Sequence, residues 1–427
     1  MSALIIFALL AVLMLTGMPV SISLGLTVLT FLFAFTEVPL ESVALKLFTG
    51  IEKFEIMAIP FFILAGNFLT HGGVARRMID FATSMVGHFR GGLGMSSVFA
   101  CALFAAVSGS SPATVVAIGS IMLPAMVKAG YPKSFGVGVI SSAGGLGILI
   151  PPSIVMVMYA VSTNSSIGAL FMAGVIPGLL LAVFLGFTTW YVAHKGDYPR
   201  ERRRTWAERG KAFTKSVWGL LLIVVVIGGI YSGLFTPTEA AAMSAVYAFF
   251  IAVFVYKDLK MSDVPRVLLN SANMSAMLLY IITNAVLFSF ILTNEQIPQA
   301  VAQWILDSGM GVVGFLIAVN VLLLVMGSFM EPSSIILITA PILFPIAMKL
   351  GIDPIHFGIM ITVNMEIGMI TPPVGLNLYV ASGISKLGLT DCSKAVWPWL
   401  LTMLVYLMLI TYVPEVTLWL PRTLGML

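Results

Sequence analysis

The sequence predicts an all-α polytopic membrane protein made of two halves of opposite orientation, and three observations carry that reading. The first is composition: of 427 residues, 59% are apolar and only 9% charged, with a mean hydropathy of +1.06, far from the balance of a soluble globular domain. The apolar residues form long continuous runs rather than the ten-residue alternating segments of a β-barrel, so the spans are helical. The second is a repeat. Lys128-Ala129-Gly130-Tyr131-Pro132 leading to Gly147-Ile148-Leu149-Ile150-Pro151-Pro152 returns as Lys349-Leu350-Gly351-Ile352-Asp353-Pro354 leading to Gly368-Met369-Ile370-Thr371-Pro372-Pro373. The third is the distribution of basic residues, which fixes how the two copies are oriented.

Ser2 to Thr16 has no basic residue before its apolar run and no small-residue cleavage site, so it is expected to be a membrane anchor rather than a secretory signal. The largest basic cluster, Lys195 to Lys215, cuts the chain near its middle and is cytoplasmic by the positive-inside rule. It has no folded module around it and lies between two spans, which excludes a nucleic-acid partner. Walking outward from it, Trp218 to Leu234 crosses out, Ala240 to Val255 returns to Lys257, Lys260 and Arg266, and Asn270 to Leu292 crosses out again. In the other direction, Leu170 to Ala193 starts outside, near Ser162 to Ser166.

Two apolar pairs do not fit as ordinary spans. Gly92 to Met126 turns at Ser108-Gly109-Ser110-Ser111-Pro112, with Arg90, Lys128 and Lys133 at its ends. Each arm has about 15 residues, roughly 22 Å of helix, which suits a hairpin that enters and returns on the cytoplasmic side. Gly311 to Ala347 turns at Gly327 to Ser334 and reads as the same hairpin entering from outside. Phe135 to Ala160 then crosses outward and Phe357 to Ser382 inward, so the copies are inverted. On this assignment only Lys46, Lys53, Lys349 and Arg422 lie outside, and the other eighteen of the 22 Lys and Arg lie inside. Leu15 to Pro19 corresponds to Leu234 to Pro237 as the first turn of each half, both termini fall outside, and Val74 to His88 and Ile297 to Ser308 read as amphipathic helices along the membrane surface or as ordinary connecting helices. The expected organisation is scaffold helices and arm over residues 1–89, a transport half with hairpin and broken helix over 90–193, and a basic linker over 194–215. The second scaffold section covers 216–309, the second transport half 310–413 and a C-terminal tail 414–427.

Glycine and proline at bilayer depth cost backbone hydrogen bonds that lipid cannot replace, so such breaks are tolerated only inside protein or beside a water-filled cavity. Inverted repeats with facing broken helices are a recurrent design of secondary transporters, with substrate and ion at the repeat interface. Freed carbonyls and hydroxyls suit a hard cation such as Na⁺. The candidate cation ligands are therefore Ser108, Gly109, Ser110, Gly144, Gly145 and Gly147 in the first half, and Gly327, Glu331, Met365, Glu366, Gly368 and Thr371 in the second. Glu331 and Glu366 are the only carboxylates in the broken regions, and intramembrane acids are expensive enough to imply function; proton coupling is the alternative role for Glu331. Glu239, in Thr236-Pro237-Thr238-Glu239, is expected to cap a helix instead. No Lys or Arg lies in either broken segment or tip, so an anionic cargo would be held by amides and by Ser111, Pro112, Ser153, Ser333, Ser334 and Asn377. Enzymatic motifs do not stand up: Gly309 to Gly314 fits a dinucleotide fingerprint without a preceding strand, and no Walker A, His-Glu-x-x-His or Gly-x-Ser-x-Gly sequence exists. Cys101 and Cys392 read as small apolar or surface residues.

Four motifs in order, Ile59-Pro60-Phe61-Phe62-Ile63-Leu64-Ala65-Gly66-Asn67, Gly145 to Ser153, Gly233 to Ala242 and Gly368 to Asn377, resemble the large membrane subunit of tripartite ATP-independent periplasmic (TRAP) transporters over essentially the whole chain. The resemblance implies an elevator-type ion-transporter fold, with about ten transmembrane helices, two re-entrant hairpins and two broken helices. It also implies Na⁺-driven import of an organic acid, a sialic acid, C4-dicarboxylate or related carboxylate. The implied partners are a periplasmic substrate-binding protein, a separate small four-helix membrane subunit and the lipid of a bacterial inner membrane. A passive channel or a proton-coupled carrier for an organic anion is the alternative that the broken helices also allow.

Overall fold

A computed structural model describes residues 2–36, 38–307, 309 and 311–427. Every regular element among them is helical, and no strand occurs. The opening span, Ser2–Leu15, turns at Gly17 into Val20–Phe35. A short amphipathic helix, Leu40–Thr49, leads to Ala58–His71, and the expected arm follows as Val74–Val86. The second half repeats this order as Trp206–Tyr231, Pro237–Phe250, Val264–Asn294 and Ile297–Asp307; Ser308, the expected end of that last arm, lies outside the described residues.

The hairpins form where the sequence places them. Gly92–Ser108 and Ser111–Lys128 make the first, of 17 and 18 residues, and Gly311–Gly327 and Pro332–Lys349 the second, also of 17 and 18. The second arm of each hairpin runs on into the flanking Lys128 or Lys349, so length alone does not separate it from a crossing: among the described residues these two 18-residue arms count among seven helices long and apolar enough to span. The first broken helix is Lys133–Gly144, Leu146–Leu149 and Ile154–Thr163, bent by 41° across its Pro-Pro break. The second is Pro354–Gly368 and Leu376–Ser385. Both Pro-Pro bonds are cis.

The two halves do not sit side by side; they cross. In the scaffold, Ala58–His71 packs on Pro237–Phe250 while Val20–Phe35 packs on Val264–Asn294, so the third span of each half meets the second span of the other. Small residues allow the approach. A Cβ on Gly72 would lie 2.4 Å from Ala252, and one on Gly25 would lie 2.6 Å from the Asn284 amide oxygen. The inner block crosses in the same way, with Ile154–Thr163 on the second hairpin and Leu376–Ser385 on the first. Tyr159 donates its hydroxyl to the Pro354 carbonyl at 2.8 Å, and its ring fills the space a side chain on Gly358 would need.

Charged contacts belt the face predicted to be cytoplasmic. Arg204 pairs with Asp80 at 2.7 Å, and Arg77 pairs with Asp258. The basic linker is shorter than the 194–215 expected, because helix Ile167–Lys195 runs to Lys195 and the next helix starts at Trp206. That start is set by a capping box, in which Thr205 and Glu208 satisfy each other's amides. Arg209, Lys211 and Lys215 are therefore helical. The expected tail 414–427 contains a helix, Glu415–Thr423, that buries Thr417, Leu418 and Pro421. Its amphipathic face is too short for a span and escaped a search for long apolar runs. Glu239 does cap its helix, accepting the Thr236 amide at 2.8 Å.

Both cysteines are free and buried, so single introduced cysteines report sidedness in the native background. A membrane-impermeant maleimide applied to intact cells is expected to label Asn294→Cys, to label Arg202→Cys only after permeabilisation, and to leave the parent chain unlabelled. Labelling of both variants from one side would contradict the inverted repeat.

Candidate functional site

Each hairpin tip is fastened to the break beside it by the same contact. In the first half the chain reverses at Gly109, whose φ of +63° is left-handed, and the Gly109 carbonyl accepts the Ile154 amide at 3.3 Å. In the second, the Ser328 carbonyl accepts the amides of Val374 at 3.3 Å and Gly375 at 3.1 Å. Ile154 and Gly375 are the second residues after the two Pro-Pro pairs, so the contact obeys the repeat. In each half a hairpin carbonyl satisfies a donor freed by the break.

Glycines let the tips close. A Cβ on Gly147 would stand 2.5 Å from the Ser110 carbonyl oxygen, and one on Gly144 would stand 2.2 Å from Val115. In the second half Gly327 and Gly368 pack backbone to backbone, a Cβ on Gly327 falling 2.8 Å from the Gly368 Cα. Gly375, at a φ of +52°, faces the carbonyl oxygens of Met369 and Thr371, each 3.0 Å from where its Cβ would be. Those two carbonyls converge on the same small volume.

The candidate residues divide by how well their polar atoms are satisfied. Ser108 is bound into its own tip, its hydroxyl 2.9 Å from that of Thr114, which in turn donates to the Ser110 carbonyl at 2.9 Å. Glu331 caps the second arm of its hairpin, accepting the Ser333 hydroxyl at 2.6 Å and the Ser334 amide at 3.2 Å. Ser153 likewise caps Ile154–Thr163, accepting the Met156 amide and donating to the Ile148 carbonyl at 2.6 Å. Thr371 donates to the Ile367 carbonyl at 2.7 Å, Pro112 occupies the first turn of its arm, and Met365 is fully buried. His71 Nδ1 lies 2.8 Å from the Asn67 carbonyl of its own helix.

A second group lacks partners. Glu366 is fully buried, and neither carboxylate oxygen has one. It occupies the position that corresponds to Gly145 in the other copy, and the two meet: a Cβ on Gly145 would lie 2.5 Å from Oε1 of Glu366. Asn377 donates to the Ser111 hydroxyl at 2.7 Å and to the Ser141 carbonyl at 3.2 Å, which ties the second broken helix to the first hairpin and the first broken helix, yet its Oδ1 is left over. Asn364 donates to Asn320 Oδ1 at 2.8 Å and also keeps an orphaned Oδ1. The Ser141 and Ser142 hydroxyls are buried without partners as well. Unpaired buried oxygens in a low-dielectric interior are costly unless something electropositive shares the space. The Ser141 and Ser142 side chains, Thr114 and Asn320 were not among the sequence candidates; two adjacent serines one residue before Gly144-Gly145 were the available signal.

The profile described as "Tripartite ATP-independent periplasmic transporter, DctM component" matches residues 7–416. The chain belongs to this TRAP transporter family. A Rhodobacter capsulatus protein named C4-dicarboxylate TRAP transporter large permease protein DctM is 71% identical over 440 residues, covering 100% of both chains. A Vibrio cholerae protein named sialic acid TRAP transporter large permease protein SiaM is 37% identical over 96% of each. Among solved structures, the Alcanivorax borkumensis YdaH transporter aligns with a TM-score of 0.64 at 16% identity, covering 87% of this chain and 88% of that one, and so supports the fold. As a TRAP large permease, the chain has a transport rather than an enzymatic role.

If tip closure depends on backbone contact, Gly147→Val and Gly327→Val should each insert normally and lower uptake by at least about tenfold, read as initial transport rate per correctly inserted protein. Unchanged rates in both would show that the glycines are dispensable.

Proposed function

We propose that this TRAP permease couples inward movement of Na⁺ to import of a C4-dicarboxylate, delivered by a periplasmic binding protein and carried in complex with a small four-helix membrane subunit. The observation that carries the coupling is the set of partnerless buried oxygens on the two facing broken helices, from Ser141, Ser142, Asn364, Glu366 and Asn377. They supply oxygen ligands of the hardness Na⁺ takes, and in this reading the backbone carbonyls of Gly109, Ser110, Gly144, Gly145, Gly147, Gly327, Gly368 and Thr371 add to the set. Ser108, Glu331 and Met365 complete the candidate set by position. The dicarboxylate rests on the 71% identical relative's name; sialic acid is favoured less, at 37%. Cargo contacts fall to Ser111, Pro112, Ser153, Ser333, Ser334 and Asn377, aided by helix-end amides.

The hairpins and broken helices form the moving block of an elevator, and the crossed outer helices the scaffold. The complex sits in a bacterial inner membrane, surrounded by lipid, with both termini periplasmic and the basic linker cytoplasmic. Since cargo and ion are moved and not consumed, the chemistry asked of the chain is to bind both in one orientation and release them in the other. Neutralising Glu366 and filling the orphan oxygens is what would let the block move as a dry unit.

One observation favours a second reading: a carboxyl with no hydrogen-bond partner is also a place to carry a proton. Glu366→Gln separates the two. If Glu366 helps to hold Na⁺, proteoliposomes containing the variant with the small subunit and the cognate binding protein should need at least about tenfold more Na⁺ for half-maximal succinate uptake. Wild-type uptake that persists with Na⁺ absent on both sides, and that responds to a proton gradient which the variant ignores, would instead establish proton coupling.

A further inference from the structure

Outside the repeat interface, one charged side chain is buried without a counterpart. Arg209, in the first turns of Trp206–Tyr231, is only 9% exposed, and its Nε and Nη2 have no acceptor. Among the described residues no Asp or Glu pairs with it, although Arg77, Arg90, Arg202 and Arg204 around the same face each have a carboxylate. Its guanidinium lies 5.0 Å from the centre of the Trp206 ring. His88 stands nearby with its Nδ1 also lacking a partner; burial, together with Arg209 and Arg203, holds its imidazole below the usual histidine range. Neither Arg209 nor Arg203 has a carboxylate partner among the described residues, which leaves the buried Arg209 guanidinium uncompensated.

An apolar slot of about 740 Å³ opens on the surface with Val86 in its wall. Val86, two residues before His88, marks one end, and Ile150 and Pro151 at the first break mark the other. Its walls are the first hairpin arm, the helix Ile167–Lys195 and, through Ile223 and Ile227, the same scaffold helix that bears Arg209. Leu179 to Trp190 line one side, which at 1.5 Å per residue is roughly 16 Å of length, enough for most of an acyl chain. An unpaired cation within a few residues of the wall of an apolar slot, through Val86 and His88, offers the two surfaces a phospholipid needs, one for its phosphate and one for an acyl chain. Serine and backbone donors do not explain it, because the unmet groups are donors and the slot is without charge.

We propose that an anionic phospholipid occupies this place, its phosphate on Arg209, His88 and Arg203 and one acyl chain in the seam between scaffold and first hairpin. A guanidinium is suited to a phosphate because its planar donors match the oxygens, and the pair strengthens where water is scarce. Trp206, 78% exposed beside the guanidinium, is placed as an interfacial tryptophan.

The test uses full-length chain purified from nanodiscs of equal phosphatidylglycerol and phosphatidylcholine, with tightly retained lipid counted by native mass spectrometry. Wild type should keep phosphatidylglycerol over phosphatidylcholine, and Arg209→Gln should lose that retention by at least about tenfold. Arg202→Gln, at a side chain that is 80% exposed, should keep it. Ala102→Phe, which fills the slot and leaves the cations untouched, should lose it as well, and this variant holds the test open if Arg209→Gln does not fold. Equal retention of both lipids by wild type, or retention unchanged in both Arg209→Gln and Ala102→Phe, would overturn the proposal. Displacement of the retained lipid by millimolar inorganic phosphate, with Ala102→Phe silent, would show a free-anion site and overturn the lipid.

Discussion

A helix broken inside a bilayer has to find replacements for its lost backbone hydrogen bonds within the protein, and the rest of this structure follows from how that is done. Gly109 and Ser328 offer their carbonyls to the amides of Ile154 and of Val374 and Gly375, so each break is sealed by the tip of the hairpin that precedes it. The seal needs backbone approach too close for side chains, which is why Gly147, Gly327 and Gly368 stand where they do. Remove the hairpins and the breaks could not be sustained in lipid; heal the breaks and the hairpins would have nothing to meet.

Sealing by nearest neighbours would leave two independent half-sites. What joins them is the crossing of the halves, with Asn377 of the second copy reaching Ser111 and Ser141 of the first, and Tyr159 of the first reaching Pro354 of the second. Gly145 and Glu366, corresponding residues, then touch at the centre. At that point the symmetry is broken: one copy supplies space and the other a carboxylate. A single acidic side chain between two otherwise similar lobes gives the pair one shared charge to manage rather than two.

Much of this was legible in the sequence because it is written in residues with strong local meaning. The Pro-Pro pairs and the glycines around them located the breaks and the helix-turn-helix pairs beside them, and Thr236 with Glu239 announced a cap that is present. Other features escaped for physical reasons. Glu331 and Glu366 look alike in sequence, but a residue at a helix start can be satisfied by its own Ser333 and Ser334, whereas one inside a packed helix cannot; only three-dimensional packing distinguishes them. The short helices Leu40–Thr49 and Glu415–Thr423 carry too few apolar residues to register as spans. The helix from Trp206 runs through Arg209, Lys211 and Lys215, charges that a hydropathy reading assigns to a loop.

The central claim is that the two tips and two breaks form one cation-dependent unit. Its most direct measurement is hydrogen–deuterium exchange of the purified chain in Na⁺ against K⁺ at matched ionic strength. The account predicts that Na⁺ slows exchange together at residues 108–111, 141–154, 327–334 and 364–377, leaving the scaffold unaffected. Exchange in those four segments that is the same in both ions would contradict it.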